Sequence, residues 1–188
     1  MKFFKKLLGD NLYLSPQNAE EEIIEKFTEW LNDFETTDYT GKSPVLITSE
    51  GERKWFENPK QGDYTFFIVR LEDDKLIGTI GLHDIDHINR RATFGIFIGD
   101  KSVRNKGYGT EAINLLLDFA FNYLNLNSVN LTVLDVNERA KRCYEKVGFK
   151  EFGRQRKCKF VNGKYYDIIH MDILKEEFKQ SYIKNKNV

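Results

Sequence analysis

Apolar residues recur along the chain with two different periods, and the change of period marks out its elements. Ile23, Ile24, Phe27, Trp30 and Leu31 follow the three- and four-residue spacing of one helix face, which predicts an amphipathic helix over 17–32. Ser15 as N-cap and Pro16 as first helical residue supply the start signal, after a short strand at Asn11-Leu14. Thr48 or Ser49 is placed to cap a second helix carrying Trp55 and Phe56. The pattern then turns β-rich in Tyr64–Leu71, Lys75–His83 and Ala92–Gly99, separated by turns at Glu72-Asp73-Asp74 and through Asp86–Arg91. Connections this short join antiparallel neighbours, so these segments predict a meander.

Helical periodicity returns at Ala112, Ile113, Leu115, Leu116, Phe119, Ala120, Tyr123 and Leu124. A strand at Val129–Leu134 follows, then a helix from Asn137 to Val147 that Gly148 ends in a left-handed conformation. Asn162-Gly163 between Phe149–Val161 and Lys164–Leu174 is the strongest short hairpin signal in the chain. The sum is an α/β mixture of the α+β type, with a mostly antiparallel sheet of about seven strands flanked by about four helices. One domain is expected over 1–174, and a polar tail over 175–188 that loses the pattern.

Composition narrows the function classes. Among 188 residues, 29 Lys and Arg balance 29 Asp and Glu, which argues against a dedicated nucleic-acid binder. Cys143 and Cys158 lack metal-ligand spacing and read as reduced thiols, so no metal is expected. The basic-then-apolar start MKFFKKLLGDNLYLSP lacks the apolar run of a signal peptide, and no stretch is long enough for a membrane span. These features predict a soluble cytoplasmic protein without nucleic-acid or membrane partners, as a monomer or homodimer.

The chemistry concentrates in VRNKGYGTEA, residues 103–112, between an apolar strand and the long helix. Helix N-termini carry unpaired N–H groups and partial positive charge, and glycines let such a turn close on a ligand. Arg104 and Lys106 add full charges, so the turn suits a phosphate or pyrophosphate. Its spacing excludes the P-loop. A dinucleotide fingerprint, with Ala112 for the third glycine, is disfavoured by the antiparallel context.

Arg104-Asn105-Lys106-Gly107-Tyr108-Gly109 resembles the acetyl-CoA loop of the GNAT superfamily of N-acetyltransferases, Gln/Arg-x-x-Gly-x-Gly/Ala. Asn137-Glu138-Arg139-Ala140 followed by Tyr144-Glu145-Lys146-Val147-Gly148-Phe149 resembles that family's N-x-x-A-x-x-x-Y-x-x-x-G-F segment. The two motifs occur in the family's order with a strand between them. WLND at 30–33 and INRRA at 88–92 resemble its RimJ/RimL-like branch.

The resemblance implies an acyl-CoA N-acyltransferase fold and direct acetyl transfer from acetyl-CoA to a primary amine, either a protein N-terminus or a small amine such as a polyamine. It implies that the amides of Arg104, Asn105, Lys106, Gly107, Tyr108 and Gly109 hold the pyrophosphate and that Thr110 adds its hydroxyl. Ile96, Phe97 and Ile98 would pair with pantetheine as an added strand does. Asn137 would bond the pantetheine arm or cap its own helix. Tyr144 falls where many members place the general acid, although Ala140, Tyr144 and Val147 also share a helix face. Thr93 stands where some members place a Glu base, and a hydroxyl is no base at neutral pH. His83, Asp84, Asp86 or a relaying water are the remaining candidates, with His83 favoured as catalytic by its chemistry. The rival class is a non-catalytic acyl-CoA-binding regulatory module.

Overall fold

A computed structural model describes residues 2–40 and 43–185. Two short strands, β1 (Leu7–Leu8) and β2 (Leu12–Pro16), open the chain. Helix α1 (Glu21–Asn32) follows, then the single turn α2 (Phe34–Thr37) and helix α3 (Ser49–Glu57). The meander is β3 (Tyr64–Arg70), β4 (Leu76–Asp86) and β5 (Arg91–Ile98). After it come α4 (Tyr108–Asn122), β6 (Ser128–Leu134), α5 (Glu138–Val147) and the hairpin β7 (Lys150–Val161) and β8 (Lys164–Leu174).

The strands form one sheet of eight in the order β1-β2-β3-β4-β5-β6-β8-β7. All neighbours are antiparallel except β5 and β6. The α/β expectation and its meander are met, with β1 as an additional strand and α2 as an additional helical turn.

The predicted helix start at Ser15-Pro16 is overturned. Both residues continue β2, opposite Phe67 and Phe66, and Ser15 is buried with its Oγ accepting from the Phe4 N–H at 3.0 Å. Pro16 is tolerated because it closes the strand beyond Leu14, where pairing with β1 has ended. The helix therefore begins at Glu21. Thr48 does cap α3, accepting from Gly51 N–H at 3.1 Å.

Each face of the sheet is covered. On one, Phe27 of α1 and Phe56 of α3 pack edge-on at 5.2 Å, above Phe67 of the sheet. On the other, α4 buries every residue from Ala112 to Phe121. That helix is enclosed on its far side as well, because the stretch from Lys175, read as a polar tail, returns across it. Ile183 is buried there, and Phe178 meets Phe121 at 5.5 Å. Asp118 is fully buried and accepts from Asn122 Nδ2, Ser181 Oγ and the N–H groups of Tyr182 and Ile183. A buried carboxylate needs such donors to offset its lost hydration, and here they clamp the returning segment.

No helix among the described residues is long and apolar enough to cross a membrane.

Candidate active site

The parallel pair β5 and β6 is joined at only three positions, Arg91–Ser128, Ala92–Val129 and Thr93–Asn130. Beyond Thr93 the two strands part, and among the described residues no strand pairs with Phe94–Ile98 on that side. Thr93 and Asn130 close the junction, their side chains 3.4 Å apart, while Asn130 Nδ2 donates to Ala92 O at 3.1 Å. Thr93 is thus part of the hinge between the strands, and no base stands there.

Two cavities open from the gap. One, about 450 Å³, is lined by Ile96, Phe97 and Ile98, by the turn at Arg104, Asn105 and Gly107–Thr110, and by α5. The other, about 710 Å³, lies on the meander side and is lined by His83, Phe94, Gly95, Trp55 and Glu52 among others. Ile96, Phe97, Asn137 and Tyr144 line both, so the cavities form one cleft through the sheet.

At the first cavity, Gly107 caps α4 with φ 88°, and Asn105 has φ 60°. Gly107 is needed here, because a side chain at that φ is strained. Among the described residues no acceptor meets the N–H groups of Asn105 through Thr110, whereas the Glu111 N–H returns to Gly107 O at 3.1 Å. Six consecutive amides at a helix N-terminus make a cradle for an anion.

Two expectations about this turn need correction. The Arg104 amide donates to Lys101 O at 3.3 Å, so it lies outside the cradle. Its guanidinium turns to α2, bonding Glu35 Oε1 and Thr36 Oγ1 at 3.2 Å each, and so braces the turn with a compensated charge. Lys106 is exposed and does not line the cavity. The cations facing it are Arg139, Arg142 and Lys146 of α5, which the sequence reading had not singled out. Their spacing along one helix was the available signal.

Glu111 anchors the first turn of α4. Its carboxylate accepts from the N–H of Asp10 at 2.6 Å, Asn11 at 2.8 Å and from Asn11 Nδ2 at 2.9 Å, pinning the helix start to the β1–β2 turn. Thr110 Oγ1 lies 3.3 Å from Cys143 Sγ at the cavity wall, so that thiol is half-buried against the site. Asn137 accepts from the Ala140 N–H at 3.2 Å, and its Nδ2 donates to Tyr39 O at 3.3 Å. It therefore caps α5 and ties it to the turn Asp38–Thr40.

Tyr144 projects from α5 into the gap, with its ring edge-on to Phe94 at 5.8 Å and only 9% of its surface exposed. Burial, with a smaller contribution from Cys143, pushes its phenol above the ordinary tyrosine value, so the group is held protonated. His83 lies on the wall of the second cavity. Its Nδ1 is 2.9 Å from Asp63 Oδ2, and Gly81 and Gly95 leave room beside Nε2. Asp63 was missed because it precedes β3 in the chain and meets β4 only after the hairpin forms.

Four further acidic residues are engaged elsewhere. Glu35 pairs with Lys101 and Arg104, Asp84 with Lys60, and Asp86 with Asn89 and Arg91, while Asp38 bonds Ser43. None of the four lines the cleft. Among the described residues no cluster of His, Cys, Asp or Glu is arranged to hold a metal ion.

A splayed parallel pair, an amide cradle on one side and a buried phenol at the crossing define an acyl-CoA-type transferase fold. The chain belongs to the GNAT acetyltransferases: residues 11–150 match the family described as acetyltransferase (GNAT) domain. It is 37% identical over 108 residues to a putative ribosomal N-acetyltransferase, YdaF, of Bacillus subtilis, covering 57% of this chain and 58% of that one. It is 32% identical over 141 residues to the spermidine N(1)-acetyltransferase of Escherichia coli, covering 67% and 75%. Probable N-acetyltransferase YjcK of Bacillus subtilis matches along 93% of this chain and 99% of its own length at 31% identity. Among solved structures, the spermidine N-acetyltransferase of Vibrio cholerae in complex with CoA and spermine superposes with a TM-score of 0.80 at 27% identity, covering 89% of this chain and 98% of that one. Acetyl-CoA is accordingly the cosubstrate, and the amide cradle fits its pyrophosphate.

Proposed function

We propose that the cleft passes the acetyl group of acetyl-CoA directly to the α-amine of a polypeptide, with His83 as general base and Tyr144 as general acid. The observation carrying this reading is that Tyr144 lines both cavities, with His83, backed by Asp63, in the wall of the second. Acetyl-CoA enters from the cradle side, its pantetheine laid along the open edge of Ile96–Ile98. The acceptor enters from the meander side.

The chemistry follows from these positions. The amine nitrogen attacks the thioester carbonyl carbon, the carbon–sulfur bond breaks, and the nitrogen loses one proton while the sulfur gains one. Asp63 fixes the proton of His83 on Nδ1, which leaves Nε2 with a lone pair to accept from the nitrogen. The raised phenol of Tyr144 is a proton source for the departing thiolate. Exchange with solvent restores both groups.

Acceptor charge favours a single amine. A polyamine carries several cations and calls for several carboxylates in the cavity that receives it, whereas among the described residues Glu52 is the one acid that lines the second cavity. The rest of its wall is made of aromatic, apolar and threonine side chains with His83 and Asn137, and Lys159 stands at its rim. The test is acetylation of an amine panel, read by mass spectrometry, with short peptides and spermidine at equal concentration. Peptide α-amines are expected to be acetylated faster. Preferential acetylation of spermidine would overturn the acceptor assignment.

A further inference from the structure

The β7–β8 hairpin has a composition unlike that of the rest of the chain. From Lys150 to Tyr166 it holds six Lys or Arg residues and one acid, Glu151, in a protein whose overall charge is zero. Part of this is internal: Lys150 pairs with Glu177, and Arg154 with Glu151 and Asp167. Arg156, Lys157, Lys159 and Lys164 have no ion-pair partner among the described residues. Beside them the rings of Phe160 and Tyr165 meet at 5.1 Å, tilted by 56°, across the hairpin while both remain exposed, 53% and 63%. Isolated exposed aromatics are ordinary, but a paired set among uncompensated cations is a recognition surface.

Placement ties that surface to the cleft. Lys159 and Ile168 line the acceptor cavity, and the hairpin continues outward from them to its Asn162-Gly163 turn. At about 3.3 Å per residue the tip stands roughly 10 Å beyond the cavity rim. β7 is also the end strand of the sheet, so its outer backbone is unpaired among the described residues. Its pairing with β8 is interrupted between Gln155 and Lys159, where Lys157 takes φ 46° and its N–H bonds Asp167. Bulges and lysines protect an edge strand from indiscriminate pairing.

We infer that this hairpin is the docking surface for the acceptor, and that the acceptor is an acidic polypeptide. Its N-terminal amine enters the cavity while the acidic residues that follow run along β7 and over the outer side of the Phe160–Tyr165 pair. This rests on the polypeptide acceptor proposed above. Charge complementarity selects the occupant. A second copy would bring Arg156, Lys157 and Lys159 against their own kind, at a cost of several kcal/mol. A nucleic acid satisfies the cations but brings no nucleophilic amine to His83.

The experiment measures binding and turnover together on the full chain. Two peptides of equal length and the same first residue, one acidic and one neutral beyond it, carry a C-terminal fluorophore. Binding is read by polarisation in the presence of CoA, and turnover by acetylation with acetyl-CoA. The acidic peptide is expected to bind about tenfold more tightly, with the advantage shrinking as salt rises. Arg156→Glu with Lys164→Glu should abolish that preference while leaving the affinity for acetyl-CoA unchanged, and Arg156→Ala with Lys164→Ala should halve its logarithm. Equal binding of the two peptides, or a preference intact in both variants, would overturn the inference. So would tighter binding of a single-stranded RNA that displaces the acidic peptide, or a dimer that the charge reversal dissociates. Selective binding without acetylation would uphold the docking surface and count against the acetyl-transfer reading alone.

Discussion

His83 and Asp63 stand 2.9 Å apart, Nδ1 to Oδ2, with His83 in the wall of the second cavity. A carboxylate at that distance fixes one imidazole tautomer and aims the other nitrogen into the cavity, where Gly81 and Gly95 leave it room. Asp63→Asn is expected to lower kcat by about 10²-fold and to leave the KM for acetyl-CoA unchanged. His83→Gln should do the same. An unchanged kcat in His83→Gln would transfer the base role to water.

Tyr144 is predicted to act through its hydroxyl. Tyr144→Phe keeps the ring against Phe94 and Phe149 and removes only the proton donor, so folding should be preserved. Turnover is expected to fall by about 10²-fold or more. Because burial raises this phenol, wild-type activity should not decline through the ordinary tyrosine range as pH rises. Steady-state rates of the two proteins from neutral to alkaline pH check both statements.

Asp118 should be a stability residue with no kinetic signature. Asp118→Ala would strand the buried N–H of Ile183 and release the segment that covers α4. Leaving buried polar partners uncompensated costs about 3 kcal/mol. Denaturant unfolding should show that loss, with KM for acetyl-CoA close to wild type in the folded fraction.

Asp100 links stability to acid. Burial opposes its ionisation, but hydrogen bonds from Lys75 and Ser102 outweigh it and hold the carboxyl at about 2, against about 3.8 for an ordinary Asp. A folded value below the unfolded one means stability that is complete above about pH 4 and is lost as pH falls towards about 2. Asp100 also accepts from the Ser102 N–H at 2.9 Å in the turn that leads to the phosphate cradle. Asp100→Asn should flatten the stability profile within that window, measured by thermal unfolding against pH.

What the sequence disclosed was local in origin. The apolar stripe of α4, the glycine turn before it, the cap at Asn137 and the Asn162-Gly163 hairpin each depend on residues a few positions apart. Ser15-Pro16 misled for a tertiary reason: a valid helix-start signal gave way to pairing with Phe66 and Phe67. The Asp63–His83 contact needs the β3–β4 hairpin, and the burial of Ile183 needs Asp118 from a distant helix. Arg104 looked like a phosphate ligand until Glu35, remote in sequence, accounted for its charge. The motif located the donor side of the cleft, and only the fold assembled the acceptor side.

The central claim is direct acetyl transfer within this cleft, and the stoichiometry of the reaction tests it most directly. Wild-type protein, acetyl-CoA and a peptide with a free α-amine are followed together for thiol release and for acetylated peptide. One thiol should be released for each α-amine acetylated, with both rates falling in parallel in His83→Gln and Tyr144→Phe. Thiol release without acetylated amine, or CoA binding with no acetylation of any amine, would contradict it.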